Sequence, residues 1–237
     1  MGFFTGKVVI VTGSSNGIGR SVAKLFAAAG AKVTITGRNA DALKVTKQEC
    51  INAGAKEGDI VEVIGDMANE ETVKKIVQDT VNKFGKIDVL VNNAGMTSNV
   101  RTDPLNEFLE NFDKLINVNL RSLIQISQLA VPFLEKSGQG AIVNVSSIAA
   151  NPLCMSRGAY YAVSKAGVDN YTAQQAGHLI RRGIRVNSVN PGVIETEIEK
   201  KRGSSDEQSK EFYDKLGSDS NGIPIGRCGQ PEEVAEV

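Results

Sequence analysis

Residues 7–19 read KVVIVTGSSNGIG: a β-branched run, then three glycines, then a segment with helical spacing. Lys7–Thr12 predicts a strand whose apolar residues are continuous rather than alternating, the pattern of burial on both faces. Ile18–Ala29 predicts a helix that stops at Gly30. A glycine-rich turn between strand and helix lets backbone approach a pyrophosphate, whose charge the helix N-terminal amides and dipole favour. Gly13, Ser15, Asn16, Gly17, Ile18 and Gly19 are the candidates for that contact. Their spacing is G-x-x-x-G-x-G, not the commoner G-x-G-x-x-G.

The same unit recurs outward from this stretch. Strands are expected at Lys32–Thr36, Ile60–Ile64, Ile87–Val91, Ala141–Val145 and Ile184–Val189. Helices are expected from Asn39, as cap, to about Ala53, over Glu70–Phe84, over about Leu105–Leu134 and over Ala159–Ile180. Six β-α alternations define an α/β fold: a doubly wound parallel sheet in a single domain, residues 1–237. Residues 195–221 stand out as charged and Gly/Ser-rich, and are read either as a solvated excursion or as a substrate lid.

Composition narrows the function classes. With 27 basic and 27 acidic residues the formal charge is zero, which argues against nucleic-acid or membrane-surface binding by bulk electrostatics. Three cysteines, Cys50, Cys154 and Cys228, and one histidine give neither a disulfide framework nor a zinc spacing, so no metal is expected. No apolar run reaches membrane-spanning length. The first six residues lack a secretion or myristoylation pattern, so a cytoplasmic protein is expected.

The end of the second strand selects the nucleotide. An acid about 20 residues beyond the glycines would hold the ribose 2′-hydroxyl of NAD. That place reads Thr36-Gly37-Arg38-Asn39, and the planar fork of Arg38 suits the 2′-phosphate of NADP. NADP is therefore expected over NAD. Asp41 is the rival, but an acid is ordinary in a first helical turn.

Taken together, TGSSNGIG at 12–19, GDM at 65–67, NNAG at 92–95, NVNL at 117–120, NVSS at 144–147, YAVSK at 161–165 and NPGVIET at 190–196 resemble the short-chain dehydrogenase/reductase family across essentially the whole chain. The resemblance implies a Rossmann-like sheet in the order 3-2-1-4-5-6 and hydride transfer between NAD(P) and a carbonyl or alcohol. It implies that Asp66 and Met67 border the adenine, and that Asn93, Ala94 and Gly95 line the ribose side. Pro191, Gly192, Ile194 and Thr196 would hold the nicotinamide end. It also implies a homo-oligomer packed through the helices near 105–134 and 159–180.

Tyr161 and Lys165 lie four apart on a predicted helix and share a face. Carbonyl reduction needs a proton for the developing alkoxide. The reverse reaction at neutral pH needs a tyrosine pKa lowered by roughly three units, about 4 kcal/mol, which a neighbouring ammonium and a desolvated site would supply. The family implies that Lys165 also holds the ribose hydroxyls, so both residues count as cofactor neighbours. Tyr160 is five residues from Lys165 and off that face. Ser147 ends the fifth strand, where it would donate to the substrate oxygen; Ser146 is its neighbour, and the family pattern selects Ser147. Asn119 would position a proton-relay water, with Asn117 as a local competitor. His178 reads as a helix-end cation and Cys154 as lining of a substrate wall.

The chain departs from the family at its end. Members usually continue beyond a segment like Pro231–Val237 with the rest of a helix and a seventh strand, so Val234 and Val237 are expected to find little to pack against. The alternative function class is a nucleotide-binding regulator or scaffold that keeps the fold but does no chemistry.

Overall fold

The structure is a computed structural model that describes residues 2–97, 108–153, 158–197, 205–218 and 223–237. Six strands form one sheet: β1 Val8–Val11, β2 Lys32–Gly37, β3 Ile60–Ile64, β4 Val89–Asn92, β5 Gly140–Val145 and β6 Ile184–Val189. All pairings are parallel and the order is 3-2-1-4-5-6, as expected. The winding reverses between β1 and β4, so their carboxyl ends open a crevice at the topological switch point.

Continuous β-branched runs make this sheet because it is covered on both sides. Val9, Val11, Val33 and Ile35 are buried under α1 (Gly17–Ala28) and α2 (Ala40–Asn52). Ile10, Val63, Leu90 and Ile142 are buried on the opposite side, with α3 (Glu70–Phe84), α5 (Ser122–Lys136) and α6 (Ala159–Leu179). Each fully buried Ile or Leu is worth about 1.5–3 kcal/mol of apolar transfer, so these two layers fix the sheet and its register. Local signals agree: Asn39 caps α2 by accepting from the Ala42 amide at 3.0 Å, and Gly85 ends α3 in the left-handed region. Beneath the crevice, register neighbours Asn92 and Asn144 join at 2.9 Å. They reach Ser127 on α5 and Thr172 on α6.

The long helix expected over about Leu105–Leu134 is interrupted. Residues 98–107 lie outside the described residues; beyond them α4 (Leu109–Ile116) passes through a π-turn at Asn117–Arg121 into α5. The π-turn carries Asn119, whose side chain is bound outside its own helix; such bulges commonly mark functional sites.

The C-terminal segment finds more support than expected. Residues 231–235 form a short helix, α8 (Pro231–Ala235), with a capping box between Gln230 and Glu233. Ala235 packs on the α1 side of the core, and Ser21 of α1 donates to Glu232 at 2.9 Å. Val234 is half-buried, while Val237 is exposed. Strand β6 lies at the sheet edge and alternates, Ile184 and Val186 buried, Arg185 and Asn187 exposed.

Candidate active site

The glycine turn is a close fit to its surroundings. Gly13 has φ +65°, and a Cβ there would lie 2.7 Å from the Ala94 Cα. Gly17 has φ +52°. A Cβ on Gly19 would meet the Asn93 amide nitrogen at 2.3 Å and the Gly13 carbonyl at 2.4 Å. Thr12 braces the neighbouring turn: its hydroxyl accepts from the Asn93 and Ala94 amides at 3.0 Å each. The Asn93 side chain donates in return to the Thr12 and Gly13 carbonyls. From below, Arg20 donates to the Ser15 carbonyl at 2.6 Å and to Thr46 at 3.1 Å. Asn16 occupies the N-cap of α1 without a side-chain cap bond, and the first turn, with Ile18, holds no acid. First-turn amides left without a side-chain acceptor, beside a cradle that a Cβ would fill, fit a pyrophosphate.

Arg38 emerges from β2 with its side chain 69% exposed, 3.7 Å from Asp66. Gly37 lets β2 approach the turn, since a Cβ there would lie 2.9 Å from Ser15. Asp41 pairs with Lys44 in the first turn of α2. Asp66 also accepts from the Ala68 amide at 2.9 Å. Met67 is buried in the core cluster, which leaves its main chain for a ligand.

At the carboxyl end of β5 the two serines divide. Ser146 is buried and donates to the Lys165 carbonyl at 3.1 Å. Ser147 is half-buried and caps a 3-10 turn, Ile148–Ala150, by accepting from Ala149 at 3.1 Å. That bond leaves the Ser147 hydroxyl hydrogen for another acceptor. The tyrosines divide likewise. Tyr160 stacks edge-on against Phe112, whereas the Tyr161 ring lies 5.9 Å from the Lys165 ammonium. Lys165 is 5% exposed and donates to the Val145 carbonyl at 2.8 Å. Burial pulls its pKa down to about 8, against the pull of Asp169, so the ammonium predominates below that pH. Gly95 completes this corner: a Cβ there would sit 3.5 Å from the Lys165 nitrogen.

Asn119 is 1% exposed, and both amide hydrogens of its side chain are taken. They go to the Met96 carbonyl and the Ser164 hydroxyl, each at 3.0 Å, while its oxygen accepts from Met96 at 2.8 Å. Ser164 in turn donates to the Tyr161 carbonyl at 2.7 Å. The side chain thus ties the loop after β4 to the helix of Tyr161. Asn117 bonds away from this corner, to Ala68.

The loop after β6 closes the crevice. The Pro191 carbonyl accepts from Ile148, and Gly192 lies beside the Ile148 side chain. Ile194 bridges Gly229, and Thr196 exchanges hydrogen bonds with the hydroxyl of Tyr213. Thr196 also faces the glycine turn, its methyl 3.1 Å from where a Gly17 Cβ would be. Tyr213 is buried on α7 (Asp206–Ser218), so within residues 195–221 this part is a docked helix; residues 198–204 and 219–221 lie outside the described residues. His178 is exposed near the end of α6, and Cys154 lies outside the described residues. Among the described residues no group of His, Cys, Asp or Glu is arranged to hold a metal.

Sequence reasoning passed over Thr12, Arg20, Asp169 and Asn190. Asp169 carried a legible signal, lying four residues beyond Lys165 on the same helix face. The others act through contacts distant in sequence.

A parallel sheet ordered 3-2-1-4-5-6 with a glycine turn at its switch point defines a Rossmann-type, dinucleotide-binding class of fold. A family model described as short chain dehydrogenase matches residues 7–207, and the chain belongs to the short-chain dehydrogenase/reductase family. It is 39% identical to the 3-oxoacyl-acyl-carrier-protein reductase FabG of Thermotoga maritima, over 98% of this chain and 88% of that one. A short-chain dehydrogenase/reductase of Caenorhabditis elegans, of unknown function and solved with cofactor, is 42% identical with a TM-score of 0.92, over 98% of this chain and 86% of that chain. L-sorbose reductase from Gluconobacter frateurii, complexed with NADPH and L-sorbose, is 30% identical with a TM-score of 0.86, over 98% and 88%.

Proposed function

We propose that the protein is an NADP(H)-dependent oxidoreductase acting on a carbonyl or secondary alcohol. The observation that carries this reading is the corner where Tyr161 and the buried Lys165 meet beside the β5 turn of Ser147, across from the open first turn of α1. NADP(H), when bound, supplies or accepts the hydride. Tyr161 donates its proton to the substrate oxygen as charge develops there, and takes it back in the oxidative direction. The Ser147 hydroxyl donates to the same oxygen. The Lys165 ammonium favours the phenolate and holds the ribose hydroxyls. Asn119 serves the proton relay by fixing the loop at Met96 against α6.

Gly13, Ser15, Asn16, Gly17, Ile18 and Gly19 hold the pyrophosphate in this reading. Asp66 and Met67 border the adenine; Asn93, Ala94 and Gly95 line the ribose; Pro191, Gly192, Ile194 and Thr196 hold the nicotinamide end. The NADPH-complexed sorbose reductase among the similar structures supports the choice of cofactor. No described helix is long and apolar enough to cross a membrane; a cytoplasmic homo-oligomer assembled through α5 and α6, with residues 195–221 as a lid, belongs to the same proposal.

The test is NADPH consumption by purified protein against a panel of ketones and aldehydes. Turnover on at least one is expected. Tight cofactor binding by folded protein without turnover on any would favour the regulator instead. For the cofactor, Arg38→Asp removes a charge-assisted contact worth about 1.5–3 kcal/mol, so the NADPH-to-NADH preference is expected to fall by about 10- to 100-fold. An unchanged ratio of kcat/KM values would remove Arg38 from the site.

A further inference from the structure

We propose that Asp169 and Asn190 form a positioning pair that locks the three catalytic segments together and supplies the counter-charge of Lys165. The inference rests on the reading of Tyr161, Lys165 and Ser147 given above. The Asn190 side-chain amide donates twice, to the Ser147 carbonyl at 3.2 Å and to Asp169 Oδ2 at 2.7 Å. One side chain thereby joins the serine turn after β5, the helix of Tyr161 and Lys165, and the loop that begins at Pro191. A shift in any of the three would move the others, which is how a preorganised site holds its geometry.

The second carboxylate oxygen of Asp169 is buried without a hydrogen-bond partner among the described residues. Asp169 stands one helical turn beyond Lys165 on the same face of α6. Among the described residues, Tyr161 is the titratable group that the surrounding elements bring beside Lys165, while Tyr160 packs against Phe112. The loop at residues 92–97, the end of β5 and the 3-10 turn after it contain no titratable group. On the π-turn, Arg121 is exposed and paired with Glu70. On α4, Glu110, Asp113 and Lys114 are exposed, as is Arg185 on β6. The carboxylate therefore offsets the burial that disfavours the ammonium.

The two parts of the pair separate experimentally. Asp169→Asn removes the charge but keeps an acceptor for Asn190. Titration of ε-carbon-labelled lysines by NMR in cofactor-free protein is expected to show the Lys165 pKa lowered by about one unit. The alkaline limb of alcohol oxidation should move to lower pH with it, and Asp169→Glu should restore both. Asn190→Ala keeps the charge but cuts the clamp; kcat is expected to fall about tenfold while the NADPH Kd changes by less than about threefold. An unmoved Lys165 pKa in folded Asp169→Asn would overturn the counter-charge. Should Asp169→Asn not fold, the Asn190→Ala split decides, and a wild-type kcat there overturns the clamp. A Tyr161→Phe control keeps the two levels distinct: full turnover in that variant sinks the underlying assignment, whereas its loss beside unchanged Asp169→Asn and Asn190→Ala variants sinks only the pair.

Discussion

Replacing Tyr161 with phenylalanine is expected to cut turnover by about 10²- to 10⁴-fold, the usual worth of a positioned general acid. NADPH affinity should change little, because the ring and its packing stay while one oxygen leaves. The reasoning is local. Without the phenol, the developing alkoxide keeps the Ser147 hydroxyl but has no proton at hand, and Lys165 is fixed 2.8 Å from the Val145 carbonyl. Tyr160→Phe is the matched control. That ring packs against Phe112, and the variant should keep turnover within about tenfold. Steady-state rates for both variants, with a fluorescence titration of NADPH, make the comparison. Near-normal rates in Tyr161→Phe would remove it as the acid.

The parts of this site that the sequence made legible are those where one residue type has one physical use. Strands such as VVIV at 8–11 are uniformly apolar because helices cover both faces, and the glycines at 13, 17 and 19 sit where any Cβ would strain or collide. Tyr161 and Lys165 share a face by helical arithmetic alone. What stayed hidden depends on partners far along the chain. The π-turn at 117–121 has no compositional mark; its Asn119 is bound to Met96 and Ser164, from two other segments. The division of labour between Ser146 and Ser147 follows only once α6 lies against β5. Asp169 could be placed beside Lys165 by spacing, but its partner Asn190 comes into view only when β6 is laid along α6. The docking of Tyr213 on Thr196 was hidden for the same reason: a charged, Ser-rich stretch does not announce which of its residues turns inward.

Gly19→Ala is expected to lower stability by about 2 kcal/mol and NADPH affinity by about 100-fold, although it puts a better helix former into a helix. Propensity alone would favour alanine by about 1 kcal/mol. The new methyl, however, would lie 2.3 Å from the Asn93 amide nitrogen and 2.4 Å from the Gly13 carbonyl, and the latter is backbone that cannot swing aside. Overpacking of this kind costs about 1–3 kcal/mol. Turning Asn93 away would also break its bonds to the Thr12 and Gly13 carbonyls, at about 1 kcal/mol each. The sum exceeds the propensity gain, and the displaced backbone belongs to the turn proposed to hold the pyrophosphate, so affinity is expected to fall along with stability. Gly177→Ala isolates the propensity term. Gly177 lies in α6 with nothing within 4 Å of an added Cβ, so that variant should gain up to about 1 kcal/mol. For a chain of this size 1 kcal/mol moves Tm by about 2–4 °C, so opposite shifts in thermal melts are expected from the same chemical change at the two positions. A Gly19→Ala protein that melted higher and bound NADPH normally would mean that the close packing of α1 on the loop after β4 is not what shapes the turn.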